Sequence, residues 1–566
     1  MLPPMWRLLV IVMGLWACQR AGPDALTPLQ ILAEPPPATR TLSYASSGIE
    51  MIDPAKVNDT AGHHLMLNVF EGLYTYNRGA GPPLPAMAAS AQPVVSADGK
   101  TWTVQVRRDL QWSDGTPLDA RDLVWSWQRA LDPKTASRSA PLLWWIQGAK
   151  AFSTGQTSDP RTVGVRAPDP YTLQLQLEAP TPFLPQLLCE MPYVPVPRHV
   201  IEKWGDQWTR PEHIVSNGPF VLAQFEPRRG AVLRRNKRYV GDYPPFFDQI
   251  EALVTDSEDT ALQWYEVGRT QWHGDIGLPA EKIAALRQLG RPDLHSEPKL
   301  CTYYLSLRVD QPPLDDVRVR RALALAVDRQ RLVLHVLRGG EVAAANAVPD
   351  LFAATLGYHA QTSDGFDPDL ARQLLAEAGH PRGKGLAPIV LQHNTGEMHR
   401  AIAEFVQRSW HEHLGVDVQL HNLEWGTLLQ ALRTGQFQIG RSSWCADYPD
   451  PLTFLDVFGA AHPANYPGYH SAGYDAALAT AKHATESQAR NQALTQAETL
   501  LARDAPILPL YHYTGAYLLK PFVLGYLPHP QDMHPLKFGR WATPPERAQL
   551  QRGQPVVLGP LQPVGH

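Results

Sequence analysis

The sequence predicts an α/β protein of more than one domain. The chain has 566 residues, whereas a single hydrophobic core stops growing at roughly 250–300 residues, so two or three domains are expected. Apolar and polar residues alternate at period two in several segments, which describes half-buried strands, and helical patterns lie between them. No repeat of roughly 20–50 residues is visible, which sets solenoids and propellers aside.

In chain order, Met1 to Arg7 carry one basic side chain, and Leu8 to Ala17 form an apolar run. A membrane-spanning helix needs roughly 20 such residues, so residues 1–17 read as a secretory signal peptide. Trp102 to Val106 and Tyr171 to Glu178 alternate as strands. A helix is expected after Asp315-Asp316, whose carboxylates suit a helix N-terminus. Asp367-Pro368 opens another, with Leu370, Leu374 and Leu375 on one side and Gly379 closing it. Ile402, Phe405, Val406, Trp410 and Leu414 place one apolar face on a helix from about Met398 to Leu414, and Val416 to His421 follows as a strand. The proline- and glutamine-rich end, 546–566, reads as a disordered tail.

Net charge is −4 with acids and bases mixed along the chain, so no nucleic-acid partner is expected. The 53 prolines imply many ordered loops, and 16 tryptophans with 19 tyrosines suit a ligand cleft. Cys18 ends the stretch Leu15-Trp16-Ala17-Cys18, which resembles a bacterial lipobox, so Cys18 is the expected lipidation site and membrane anchor. Cys189, Cys301 and Cys445 then remain, an odd number that allows at most one disulfide.

Motifs for catalysis are missing: no Gly-x-Ser-x-Gly elbow, phosphate-cradling loop or His-Glu-x-x-His pair occurs, and no enzyme is expected. His411 and His413 are two apart and would leave a helix on different faces. His63-His64 reads as a solvated pair. No metal and no cofactor are assigned.

Several blocks recur together. Asp53-Pro54 and Phe70-Glu71-Gly72-Leu73 come first, then Ser96-Ala97-Asp98-Gly99 and Trp112-Ser113-Asp114-Gly115-Thr116-Pro117, continuing through Ala120 to Arg129 and Asp132-Pro133. Ser216-Asn217-Gly218-Pro219-Phe220 and Asn236-Lys237-Arg238-Tyr239 follow. The second half adds Cys301-Thr302-Tyr303-Tyr304, Pro313 to Arg320, Glu424-Trp425 and Trp444-Cys445-Ala446-Asp447-Tyr448. In this order, from about residue 41 to 541, they resemble the oligopeptide-binding family of extracytoplasmic solute receptors (family 5).

The resemblance implies a two-lobed periplasmic-binding-protein fold with an extra inserted domain and the ligand enclosed between the lobes. Lobe I would comprise 41–74, 200–300 and 515–545, the inserted domain 75–199, and lobe II 301–514, with hinge closure about the crossings near 300 and 515. It implies a monomeric receptor in the periplasm or cell envelope that binds short peptides largely independently of side chains and delivers them to the permease subunits of an ABC transporter. It also selects Cys301–Cys445 as the disulfide, leaving Cys189 a buried free thiol. A receptor that accepts many sequences must hold what all peptides share. Asp447 matches the family residue that pairs with the ligand's α-amino group. Arg441 and His399 match positions that neutralise its carboxylate.

Trp425 and Trp444 are candidate pocket walls, Tyr304 a hydrogen-bonding wall, and Cys445, Asn58 and Thr60 further ligand-contacting positions. Two other basic positions of the pattern fall on Leu337 and Leu432, with Arg338 and Arg433 beside them. Ser306, Asp275, Ile276 and Ser139 also depart from it. These departures keep specialised ligands open: a cell-wall peptide, a metal chelate, haem, or a peptide sensed rather than transported.

Overall fold

The computed structural model describes residues 28–563 apart from 58, 80, 275, 361–364, 528 and 562. The signal segment, Cys18, Asn58 and Asp275 therefore lie outside the described residues. No helix among those described is long and apolar enough to cross a membrane.

The architecture is two-lobed α/β. One four-stranded sheet orders Thr41–Ser46, Gln249–Val254, Gly230–Arg235 and Phe220–Glu226, with the first pair parallel and the rest antiparallel. A second four-stranded sheet, all antiparallel, orders Val94–Val95, Thr101–Gln105, Thr172–Gln176 and Val165–Asp169. A six-stranded sheet orders Val342–Ala343, Ile507–Leu518, Leu294–Leu307, Ile439–Cys445, Ile389–Asn394 and Val418–Leu423. In it Ile389–Asn394 runs parallel to both neighbours, as expected where helices make the crossovers. The two long strands, Leu294–Leu307 and Ile507–Leu518, pair with each other, with register shifts between Pro298 and Thr302 and again at Tyr303/Tyr304.

Local signals explain the elements. Helix Ala120–Leu131 carries a capping box made by Asp119 and Asp122. Helix Val317–Leu325 is capped by Asp316, and Pro368–Glu377 by Asp367 with proline in its first turn. The helix Glu397–Leu414 is followed by a strand that starts two residues later than the alternation suggested, at Val418. Gly415 adopts the left-handed conformation and Val416 N–H turns back to Trp410 O at 3.2 Å, so Val416 belongs to the helix stop.

The expected disorder of 546–566 is corrected as far as Gly559. Pro544–Gln551 is helical, because Thr543 and Glu546 form a capping box and Arg540 pairs with Glu546 at 2.7 Å. Leu550, Val556 and Leu558 then pack on the main core, and Arg78 Nη2 donates to Gly559 O at 2.6 Å. The solvated histidine pair is corrected too: both sit on the helix Thr60–Met66, whose apolar side faces the core, and His64 is buried at 4% exposure.

Two cores use opposite faces of the six-stranded sheet. Tyr303, Leu305 and Leu307 join the core beneath helices Val317–Leu325 and Glu397–Leu414, whereas Tyr304 joins the larger core with Tyr448, Phe454 and Phe458. Period-two alternation along one strand produces this split.

Candidate functional site

The signature blocks mostly clasp one another. Arg129 forks onto Asp53 at 2.6 and 3.2 Å, joining the helix Ala120–Leu131 to the Asp53-Pro54 turn. Asn217 Nδ2 donates to Glu71 O and its Oδ1 accepts from Glu71 N–H, while Asn236 Nδ2 donates to Gly218 O at 2.9 Å. Glu71 pairs with Lys537, both buried, and accepts from Tyr239 OH at 2.9 Å. These acids, amides and bases build the scaffold.

Among the described residues, two charged groups on the Ile439–Cys445 strand and its continuation have no ion-pair partner. Arg441 is 8% exposed, and its partners are aromatic rather than acidic. Its guanidinium carbon lies 4.8 Å from the Tyr303 ring centre and 5.6 Å from that of Trp425, and Nη2 donates to Tyr513 OH at 3.2 Å. Nε has no hydrogen-bond partner among the described residues. Burial lowers the Arg441 pKa, but Tyr303 and Tyr513 outweigh it and the net direction is upward, so the charge persists. A buried cation without a counter-anion is costly and therefore anion-seeking.

His399, in the first turn of Glu397–Leu414, reaches the same cage: its ring stacks on Tyr303 at 5.8 Å, with Nδ1 3.4 Å from Tyr303 OH. Burial and then the Arg441 charge push it down to about 4. It is neutral at pH 7 and can offer a hydrogen bond without charge.

Asp447 lies six positions beyond Arg441. Its N–H donates to Thr453 Oγ1 at 3.2 Å, and among the described residues its carboxylate accepts no hydrogen bond. Solvent reaches the side chain, yet surrounding protein pushes the carboxyl up to about 6 by desolvation. Glu190 lies within its electrostatic reach. Burial raises Glu190 to about 7 against the hydrogen bond from Tyr76 OH, and the Asp447 charge adds to the rise. Next to Asp447, Tyr448 stacks on Phe183 with ring centres 4.3 Å apart, so this segment touches a stretch far away in sequence.

The remaining expected residues divide. Trp425 opens the helix Trp425–Thr434 at 46% exposure, beside Arg441. Trp444 and Tyr304 point to the opposite sheet face, where Tyr304 is buried edge-on to Phe458 and Trp444 edge-on to His462. Cys301 and Cys445 are cross-strand partners with sulfurs 2.04 Å apart, and Cys189 is buried and free. Thr60 is an exposed first residue of its helix. Leu337 and Leu432 are core residues, and Arg338 and Arg433 face solvent, so neither adds a cation to the cage. Ser306 and Ile276 are buried, and Ser139 Oγ donates to Val57 O at 3.4 Å. The sequence reading missed Tyr303 and Tyr511, whose rings stack, Tyr513, tilted against both, and Glu190. The Tyr-x-Tyr spacing at 511 and 513 was the available signal.

The family model for bacterial extracellular solute-binding proteins, family 5 Middle, matches residues 83–466. The periplasmic oligopeptide-binding protein OppA of Escherichia coli K12 is 34% identical over 487 residues, 85% of this chain and 88% of that protein. The probable deoxycholate-binding periplasmic protein YgiS of the same organism is 36% identical over 488 residues, 85% and 89% respectively. The solved structure of the Escherichia coli murein tripeptide-binding protein MppA superposes with a TM-score of 0.74 at 31% identity, covering 90% of this chain and 99% of that one. Fold, signature blocks and coverage agree: the chain belongs to the bacterial extracellular solute-binding proteins of family 5.

Proposed function

We propose that this chain is an extracytoplasmic receptor that captures short peptides by their two charged ends and presents them to an ABC permease, and that it is not an enzyme. One observation carries the reading: an unneutralised cation, Arg441, and an unclasped carboxylate, Asp447, stand six positions apart along one strand line. An extended chain rises roughly 3.3 Å per residue, so the two sites are at most about 20 Å apart. That span fits extended peptides of about two to five residues once side-chain reach is subtracted. Asp447 takes the ammonium, Arg441 the carboxylate, and His399 a neutral hydrogen bond beside it. Trp425, Trp444, Tyr304, Cys445, Asn58 and Thr60 remain proposed walls. The relatives named for oligopeptide and murein-peptide binding support the reading.

In the same proposal Cys18 carries a lipid after removal of 1–17, and the monomer stands on a periplasmic membrane face. Lobe I spans 41–74, 200–300 and 515–545, the inserted domain 75–199 and lobe II 301–514. Both interior boundaries, near 300 and 515, fall within the paired long strands. The Cys301–Cys445 bond forms on export; unfolded, unreduced mature protein should then titrate with one free thiol if Cys18 is acylated, and three would exclude the bond.

A second reading has its own support: the relative named as a probable deoxycholate-binding protein, together with a cage of aromatic rings around one cation. A steroid carboxylate would use Arg441 and leave Asp447 idle. Native mass spectrometry of the purified protein, followed by denaturation and identification of released ligand, decides. Mixed peptides of about two to five residues are expected; a steroid acid without peptide would overturn the primary reading.

A further inference from the structure

Away from Arg441 and Asp447, the helix Thr60–Met66 meets the loop His529-Pro530-Gln531-Asp532-Met533-His534. One donor atom each from His64, Asp532 and His534 lies within 4.8 Å of the other two. His534 Nε2 is 3.0 Å from Asp532 Oδ1, and His64 Nε2 touches Asp532 O. Both imidazoles are buried, at 4% and 6% exposure. Aromatic rings flank the site: Tyr526 stacks on His534 at 4.6 Å, and the Trp272 ring stands 5.3 Å from it. A cavity of about 240 Å³, lined by these two rings as well as by Asp532 and His534, gives entry and room for water ligands. Glu297 and Glu341 also line it.

We propose that His64, Asp532 and His534 bind a divalent cation of the zinc–nickel class, with its remaining positions open to this cavity. Two imidazoles and one carboxylate form a donor set that borderline ions prefer over calcium or magnesium, which take oxygen ligands. The loop is held in shape for this: Asp532 N–H donates to His529 O at 2.8 Å, and Asp532 itself adopts a left-handed φ of 64°. A non-glycine residue held in that region is uncommon and is found where surrounding structure fixes it. Lys299 Nζ donates to Asp532 Oδ2 at 2.9 Å, on the oxygen that does not face His534. The carboxylate can therefore turn Oδ1 to the ion and keep Oδ2 on the ammonium. That neighbouring positive charge weakens the site, which gives the proposal a signature that scattered surface histidines would lack. The site shares no residue with the peptide cage and does not rest on the peptide reading.

The test is calorimetric titration of the tag-free mature chain with Zn²⁺ at pH 7.5, against a chelator of known affinity. One equivalent should bind tightly. His534→Gln and Asp532→Asn should each weaken it by tenfold or more, since loss of even an outer partner of a metal ligand costs about 10–100-fold. Lys299→Gln should tighten it several-fold. Zn²⁺ binding that is absent, or unchanged in all three variants, would overturn the proposal. Should His534→Gln fail to fold, the half-exposed Lys299 still decides: no gain in affinity on its replacement rejects the site.

Discussion

Asp447→Ala should weaken peptide binding by about 30- to 4,000-fold, the equivalent of about 2–5 kcal/mol, while the empty protein melts almost as before. The first half follows from what the substitution leaves behind: a peptide ammonium enclosed between lobes without its counter-charge. The second follows from the side chain's idleness, since among the described residues its carboxylate accepts no hydrogen bond. Titration calorimetry with a tripeptide, alongside a melting curve, checks both. The same residue fixes a pH dependence. In the empty protein the Asp447 carboxyl is pushed up to about 6, whereas a bound ammonium favours the carboxylate and lowers it. Protons therefore compete with ligand below pH 6, and affinity should fall by up to about tenfold per unit from 6 toward 4. Asp447→Asn should abolish that slope. Unchanged affinity in Asp447→Ala, or a flat profile in the unaltered protein, would sink the assignment.

Glu71→Ala should lower the unfolding free energy by about 3–5 kcal/mol and leave peptide affinity unchanged at temperatures where the protein is folded. Glu71 is 6% exposed and Lys537 4%. The ammonium sits among the rings of Tyr239, Tyr243 and Phe538, 5.1 to 5.9 Å from their centres. Removing the acid strands that charge in the core. Glu71→Ala with Lys537→Met should recover much of the loss, because replacing a whole buried pair by apolar groups is far less costly than halving it. Urea unfolding of the ligand-free protein measures both. A loss of peptide affinity in folded Glu71→Ala would move Glu71 from scaffold to binding site.

The sequence reveals elements better than it reveals faces. Helices opened by Asp316 and Asp367 could be placed because capping chemistry is local. The same chemistry at Thr543 and Glu546 was legible in principle, but the composition of the tail masked it. Arg441 and His399 both lie against Tyr303, a ring that was not singled out, and Arg441 also lies beside Trp425. Choosing between Tyr303 and Tyr304 requires the register of two strands 140 residues apart in sequence. Once Cys301 is set opposite Cys445, Leu305 falls opposite Arg441, and Tyr303 shares their face while Tyr304 does not. A single long-range pairing held that information. Glu190 could not be found the same way, because its approach to Asp447 depends on how the two halves of the molecule meet.

With the lobe boundaries proposed above, the two chain passages between the lobes are neighbouring strands of one sheet, Leu294–Leu307 beside Ile507–Leu518, and their pairing is irregular around Pro298 to Thr302. One flexible passage would let a lobe swing through a cone; two laid side by side restrict it to rotation about a common line. Most of the orientational freedom that a closing clamp must otherwise surrender is thus removed in advance by covalent connectivity, and less of the ligand's binding energy is consumed in aligning the halves. The closed outline is then set by the geometry of this axle rather than by the side chains of the cargo. Any partner that docks across both lobes can recognise the loaded state without reading what is inside.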